Sequence, residues 1–262
     1  MNERKESMRK ILYWIKNKAV EIAWIFTKKT GRENMPEPGE NRDTTMPTLP
    51  DNPLNPPLSN IYEYDYVIKD HLIAGAKYIK DPENGGWMSP KGIVIHFTCS
   101  YNLMDTVQWF KDEVVDIHLL VDKDGTVAQM VPFNVTADHA GKSQWKCYYS
   151  LNRSFIGIEV INIGPLEKRG DKFYDCYNRV WKGQVVEVDL LGYKYWEPFT
   201  AEQLKALVGL CKAICSRYGI STELICGHHE ASPGRKDDPG GSLGMSMDQF
   251  RKEVSESLKK TN

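Results

Sequence analysis

The feature that most constrains this chain is a polar loop near its C-terminal end. Residues 227–240 read GHHEASPGRKDDPG, so two histidines, three carboxylates and two basic side chains stand among glycines and prolines. Because glycine and proline hold a segment as an ordered loop over a scaffold, these polar side chains can converge on one point. Converging imidazoles and carboxylates are the composition of a metal site.

Two of the ligands that a zinc ion needs are available within this loop. His228 and Asp238 lie ten residues apart, and a catalytic zinc typically takes about three protein ligands and leaves a position for water. The third ligand is expected from a distant rigid element. The run GIVIHFT at residues 92–98 is apolar and β-branched, which predicts a buried strand with His96 near its end.

Five motifs follow one another in a fixed order. They are the strand ending in His96, HLLVDKDG at 118–125, HAG at 139–141, SFIGIE at 154–159 and the loop at 227–240. Together they resemble the zinc-dependent N-acetylmuramoyl-L-alanine amidase family, which includes phage endolysins, wall-recycling amidases and peptidoglycan-recognition proteins. The resemblance covers residues 61–262. It implies an α/β domain with a central mixed β-sheet flanked by helices, and a zinc in a cleft at one edge of the sheet.

The resemblance also implies a role for each polar residue of the site. The metal ligands of Zn²⁺ are His96, His228 and Asp238. Glu159 is the general base that takes a proton from the attacking water, and Lys236 stabilises the oxyanion or the scissile carbonyl. Further contacts with the substrate are expected from His139, Trp145, Asn152 and Arg153.

Two other residues compete for the ligand role, and one position departs from the family pattern. His229 has the same chemistry as His228, but the family places the ligand directly after a glycine. Cys226 lies in an apolar run and is expected to be a small buried hydrophobe. Several relatives carry a catalytic tyrosine where this chain has Ile117, so the chemistry is expected to rest on zinc and the glutamate. The adjacent His118 is expected to be structural.

The reaction implied by the resemblance is hydrolysis of the amide between the lactyl group of N-acetylmuramic acid and L-alanine in peptidoglycan or muropeptides. A phage or prophage endolysin, acting in phage lysis, is the favoured setting. A cytoplasmic muropeptide-recycling amidase and an exported toxin are the rival enzymes. A non-catalytic peptidoglycan-recognition module is the rival from another class, but such modules typically lack a metal ligand, and all three are present here.

Composition narrows the class of protein further. A formal net charge of −1 over 262 residues does not favour a nucleic-acid binder. The six cysteines show no Cys-x-x-Cys spacing and are predicted to be reduced core thiols. Synthesis in the cytoplasm without a recognisable signal peptide is expected, with action at the cell wall or in the periplasm.

The chain divides into three predicted parts. Residues 1–30 carry apolar side chains at three- and four-residue steps, which predicts an amphipathic helix, interrupted by too many charges for a signal peptide or a membrane span. Peripheral membrane contact and protein contact both remain open for it. Residues 31–60 are rich in proline and polar residues, which predicts a disordered, flexible linker. The catalytic domain follows at 61–262.

Within the catalytic domain, residues 164–198 form a polar, aromatic and irregular insertion near the cleft. Its aromatic rings are expected either to help bind a polymer or to pack on their own domain. After it, Thr200 with Gln203 three positions on predicts the start of a helix that Gly219 ends. A last helix is predicted over 247–258.

Overall fold

The computed structural model describes residues 64–79, 85–113 and 115–259. The helix predicted over 1–30 and the linker predicted over 31–60 lie outside these ranges. Within the described ranges, no helix combines the length and the apolar character that crossing a membrane requires.

A mixed β-sheet forms the centre of the described chain, as predicted. Among the described residues it has six strands, in the order β15–β4–β9–β5–β6–β3. They are β3 (Lys77–Tyr78), β4 (Gly92–Phe97), β5 (Leu119–Val121), β6 (Val127–Gln129), β9 (Phe155–Val160) and β15 (Ile225–Gly227). Only β5 and β6 pair antiparallel within this sheet as described, and the other neighbours are parallel.

Helices cover both faces of this sheet. They are α1 (Leu103–Asp112), α2 (Ala201–Tyr218), α3 (His228–Ala231) and α4 (Met247–Lys259). Short hairpins complete the fold, with β1 (Ile68–Lys69) against β2 (Leu72–Ile73) and β7 (Gln144–Trp145) against β8 (Tyr148–Tyr149). The sheet thus separates two layers of helix and loop.

Alternation along the strands decides which side chains meet which layer. Successive side chains of a strand point to opposite faces. Ile93 and Ile95 of β4 pack in the large core that α2 and α4 also enter. Val94 packs instead with a smaller cluster on the opposite face, beside Ala231 of α3. His96 has the parity of Val94, so it faces away from α2 and α4.

The start of α2 confirms the prediction made from local sequence. Thr200 accepts a hydrogen bond from Gln203 N, and the Gln203 side chain bonds back to the Thr200 backbone. Gly219, with a φ of 63°, ends the helix in the left-handed conformation that glycine adopts without strain.

Residues 165–196 form a second, antiparallel sheet, which we call the added sheet. Within these residues, all of them described, five strands follow the order β12–β11–β10–β14–β13. They are β10 (Pro165–Arg169), β11 (Lys172–Tyr174), β12 (Val180–Trp181), β13 (Val186–Leu190) and β14 (Tyr193–Trp196). The expectation of irregular structure was therefore wrong. Its strands are short and bury only a few apolar side chains, so their periodicity is weak in the sequence.

The prediction that all cysteines are reduced core thiols was also wrong. Cys99, just after β4, forms a disulfide with Cys176 in the added sheet, across a sequence separation of 77. Cys147 is exposed, whereas Cys211, Cys215 and Cys226 are buried. Burial raises the pKa of the Cys226 thiol well above its usual value, as expected of a core residue. Spacing along the chain did not reveal the pair, because the fold brings two distant segments together.

Candidate functional site

The three predicted metal ligands meet at the end of two neighbouring strands. His96 is near the end of β4, and His228 follows β15 as the first residue of α3. The two strands are parallel, with Gly227 opposite Ile95, so the next residue of each strand comes side by side. Asp238 reaches the same point from the loop. One ligand atom of each residue lies within 4.8 Å of the others.

The donor atoms of this group point at one another. Asp238 Oδ2 lies 2.8 Å from His96 Nδ1 and 3.0 Å from His228 Nδ1. All three side chains are buried. Burial, together with the charge of His228, lowers the pKa of His96 to about 4. Burial alone would raise the pKa of Asp238, but both histidines outweigh it and hold that pKa well below its usual value. The carboxylate is therefore ionised beside a neutral His96.

The outer nitrogens of the imidazoles have different partners. His228 Nε2 lies 3.0 Å from the carbonyl oxygen of Ala140, which can only accept, and 3.3 Å from Arg235 Nη2, which can only donate. His139 Nε2 donates to Phe155 O at 3.0 Å, which leaves His139 Nδ1 to accept from His96 Nε2 at 3.0 Å. His96 Nδ1 then carries a lone pair beside the Asp238 carboxylate. Two imidazole nitrogens and a carboxylate oxygen that face one another are a donor set that fits a zinc ion.

Glu159 lies on the same face of the sheet as His96. The two residues are directly opposite in the parallel register of β4 and β9, and their side chains therefore share a face. Glu159 is half-buried, and its Oε2 atom is buried. The strand register thus puts the Glu159 carboxylate on the face of the sheet that carries His96.

Lys236 is half-buried in the loop, two residues before Asp238. Burial is the main cause of the low pKa of His96, and the charge of Lys236 adds to it, which places the ammonium within electrostatic reach of the ligands. Its backbone N–H donates to Ser232 O at 3.1 Å. The alternative ligand His229 instead faces the backbone oxygen of Asp238, 3.1 Å from its Nδ1.

The four residues predicted to contact substrate have different surroundings. His139 lies between His96 and Phe155, and a Cβ on Gly157 would stand 2.6 Å from its ring. Asn152 accepts from Ala140 N at 2.7 Å through Oδ1 and donates to Asp138 at 2.9 Å. Both therefore hold the loop next to the ligands.

The other two of these residues lie farther along the same side of the domain. Trp145 donates from its indole nitrogen to Glu223 O at 2.9 Å, with the Arg251 guanidinium 5.4 Å from its ring centre. Arg153 is exposed at the turn Leu151–Arg153 that leads into β9. These contacts make Trp145 a packing residue on the side of the domain that carries the metal-ligand group.

Two residues of the site were missed by the sequence reasoning. Arg235 Nη2 lies 2.7 Å from Ala140 O, 2.9 Å from Lys142 O and 2.7 Å from Ser232 Oγ, so it joins two loops. No local pattern pointed to it. Glu230 accepts from Gly227 N at 2.9 Å, and this glutamate three residues into α3 was a readable capping signal.

Known proteins resemble this chain over the same region. The family model described as N-acetylmuramoyl-L-alanine amidase matches residues 86–241. The N-acetylmuramoyl-L-alanine amidase AmiD of Escherichia coli (strain K12) is 34% identical over 157 residues, covering 57% of this chain and 49% of AmiD. The 1,6-anhydro-N-acetylmuramyl-L-alanine amidase AmpD of Enterobacter cloacae is 28% identical over 127 residues, covering 48% and 51%. The chain spans about half the length of the curated relatives it matches.

Two solved structures share the fold. The complex of E. coli AmiD with anhydro-N-acetylmuramic acid-L-Ala-D-gamma-Glu-L-Lys superposes with a TM-score of 0.50 at 28% identity, covering 72% of this chain and 65% of AmiD. A selenomethionine AmpD structure gives a TM-score of 0.53 at 21% identity, covering 72% of this chain and 99% of that one.

Proposed function

The chain belongs to the N-acetylmuramoyl-L-alanine amidase family, and from that membership we propose that it hydrolyses the amide between the lactyl group of N-acetylmuramic acid and L-alanine. The observation that carries the proposal is the buried group of His96, His228 and Asp238. Its two imidazoles and its carboxylate are the donors of a catalytic metal centre. A recognition module has no need to keep such a group intact.

The chemistry follows from what surrounds this group. A Zn²⁺ held by the three ligands supplies Lewis acidity towards a water and the scissile carbonyl. Glu159, on the same face as His96, is proposed to take the proton of the attacking water and pass it to the departing amine. The Lys236 ammonium is proposed to stabilise the negative charge on the carbonyl oxygen.

The substrate is proposed to be peptidoglycan or its fragments. The AmiD structure holds an anhydromuramyl tripeptide as substrate, which supports muropeptides as ligands of this site. Exposed Arg153 is proposed to meet a stem-peptide carboxylate, since a guanidinium matches that group in two hydrogen bonds. Action on the polymer as an endolysin and action on fragments in recycling remain the two settings proposed, with the cell wall or periplasm as the place of action.

The test is mass spectrometry of the products from zinc-loaded protein. Purified peptidoglycan and a soluble anhydromuramyl peptide are offered separately, with and without a chelator. We expect stem peptides with a free L-alanine amino group, lost on chelation and restored by zinc. Asp238→Ala is expected to lose both zinc and cleavage. Glu159→Gln is expected to keep zinc and lose about 10²–10⁴-fold in rate.

A matched control is Glu187→Gln, because Glu187 is an exposed strand glutamate of the added sheet, paired only at the surface with Lys194 at 3.0 Å. It should cleave like the wild type. Folded, zinc-loaded wild type that cuts neither substrate would refute the amidase proposal. Retained binding to the wall in that case would identify a recognition module.

A further inference from the structure

The added sheet touches both segments of chain that carry metal ligands. Two contacts are with the loop, one before and one after Asp238, and a third is with the residues that follow His96. We propose that the added sheet supports the metal site, with Tyr193 as the residue that positions the loop of Asp238. This inference rests on the zinc site of the proposed function.

The first contact is a hydrogen bond to the residue next to a ligand. Tyr193 of β14 donates from its hydroxyl to Asp237 Oδ2 at 3.2 Å. Burial, with the neighbouring charge of Asp237, raises the pKa of Tyr193 to about 12, so the phenol remains a donor at neutral pH. Asp237 lies between Lys236 and Asp238, and fixing its side chain restricts the backbone on both sides.

The second contact supports the chain just after the ligand. The Trp196 ring is fully buried, and its indole nitrogen donates to Val188 O at 2.8 Å, which holds the ring in one orientation. A Cβ on Gly240 would lie 2.7 Å from this ring, and one on Gly241 would lie 2.5 Å from it. The backbone of these two glycines therefore lies directly on the indole. Phe199 N, just beyond the added sheet, donates to Ser242 O at 2.7 Å.

The third contact is at the exit of β4. Tyr177 donates from its hydroxyl to Cys99 O at 2.5 Å, and the disulfide joins Cys99 to Cys176. Tyr101, which stacks on Tyr177 with ring centres 5.9 Å apart, donates to Asp175. Cys99 is only three residues beyond His96. These aromatic hydroxyls bond inside the protein, so the cluster holds the added sheet in place.

A metal site is sensitive to such support. Ligands must be held in the geometry of the ion, and removing an outer partner typically costs about 10–100-fold in metal affinity. The added sheet bonds to both ligand-bearing segments, so its position sets the separation of His96 and Asp238. These bonds therefore indicate that the added sheet supports the ligands rather than contacting the substrate.

The test is Tyr193→Phe in the full chain, which removes one hydroxyl and keeps the ring. We expect the zinc Kd, measured by competition with a chelator, to rise about 10-fold or more. Turnover should return to within a few-fold of wild type when zinc is in excess. The control is Tyr195→Phe, since Tyr195 lies on the same strand but packs on Phe173, with ring centres 5.1 Å apart. Its zinc Kd should not change.

Three results would overturn the proposal. They are an unchanged zinc Kd in Tyr193→Phe with unchanged unfolding stability, an unchanged zinc Kd in Tyr193→Phe with reduced unfolding stability, and an equal rise of the zinc Kd in Tyr195→Phe. If Tyr193→Phe does not fold, Trp196→Phe takes its place with the same expectation. The zinc measurement needs no turnover, so a protein that shows the expected Kd change but cuts nothing would refute the amidase proposal and leave this one standing.

Discussion

His118, which is not one of the ligands, is held neutral by what its two nitrogens face. Its Nε2 donates to Val135 O at 2.9 Å, and its Nδ1 accepts from Gly157 N at 3.0 Å. A proton on Nδ1 would break the second bond. Burial lowers the pKa of His118 to about 4, against the weaker opposing effect of Val135. The residue is therefore structural.

The buried imidazole of His118 predicts that the free energy of unfolding falls as the pH is lowered. The folded pKa of about 4 lies below the unfolded value of about 6.5. The unfolded chain therefore binds the proton first, and stability is lost as pH falls from about 6.5 towards 4. Between pH 7 and pH 5, we expect the free energy of unfolding of His118→Gln, which cannot titrate, to fall by about 1–2 kcal/mol less than that of the wild type. Urea unfolding in excess zinc measures this, and equal pH slopes would contradict it.

The grouping of His96, His228 and Asp238 could be predicted at this scale because the motifs that carry them are local. His228 and Asp238 lie in one loop, and His96 is the last residue but one of β4. The proton position on His139 was not predictable, because it depends on the carbonyl group of Phe155, which the fold brings in from elsewhere. Arg235 was missed for the same reason.

Among the elements, α3 needs outside support more than any other helix of the described chain. Its four residues make one turn, which is too short to be stable alone. Glu230 caps its start and pairs with Arg251 of α4 through two bonds of 3.0 Å. Arg251 also donates to Ile225 O at 2.9 Å. The turn that presents His228 is thus fastened to the last helix.

Breaking this pair should be costly. In Arg251→Met the Glu230 carboxylate, whose side chain is 10% exposed, loses its partner, and such losses at nearly buried pairs typically cost about 3–5 kcal/mol of unfolding free energy. The neighbouring Lys252→Met is the control, because Lys252 is exposed and its pair with Glu256 at 3.9 Å lies at the surface. That change should stay within about 0.5 kcal/mol. Chemical unfolding compares the two variants. Similar values for both would show that the pair does not fasten α3.

Some helices and strands could be predicted from the local sequence, and others could not. The start of α2 was predicted because Thr200 and Gln203 are three residues apart and cap each other. The added sheet was not, because its strands take their order from pairing across the segment, with β10 between β11 and β14. Because the strands are short and bury few residues, no local sequence pattern predicts that order.

On the scale of the whole domain, the two faces of the central sheet differ, because one forms the apolar core and the other carries polar residues of the site. One face packs against α2 and α4 in the large apolar core. The other face carries His96 and Glu159 side by side. The family resemblance predicted this mixed sheet, while the bond between Cys99 and Cys176 that joins the added sheet to it was not foreseen.

The disulfide between Cys99 and Cys176 can be tested by counting the cysteines that alkylation modifies. Alkylation of protein unfolded without reductant should modify Cys147, Cys211, Cys215 and Cys226 and leave Cys99 and Cys176 unmodified. Reduction before alkylation should raise the modified number to the full six. Intact mass spectrometry reads both numbers. Six modified cysteines without reductant, from protein purified in air, would contradict the pairing.

The added sheet begins and ends at neighbouring points of the domain. Its first residue, Pro165, is the strand partner of its last, Trp196. Because the chain between them leaves and returns at one place, a longer, shorter or exchanged segment need not re-route the rest of the chain, but it must keep the bonds to Cys99 and Asp237 to hold the same position. Such a segment can change in evolution or be grafted by design, and under the support proposed above each version would change the zinc Kd of the domain.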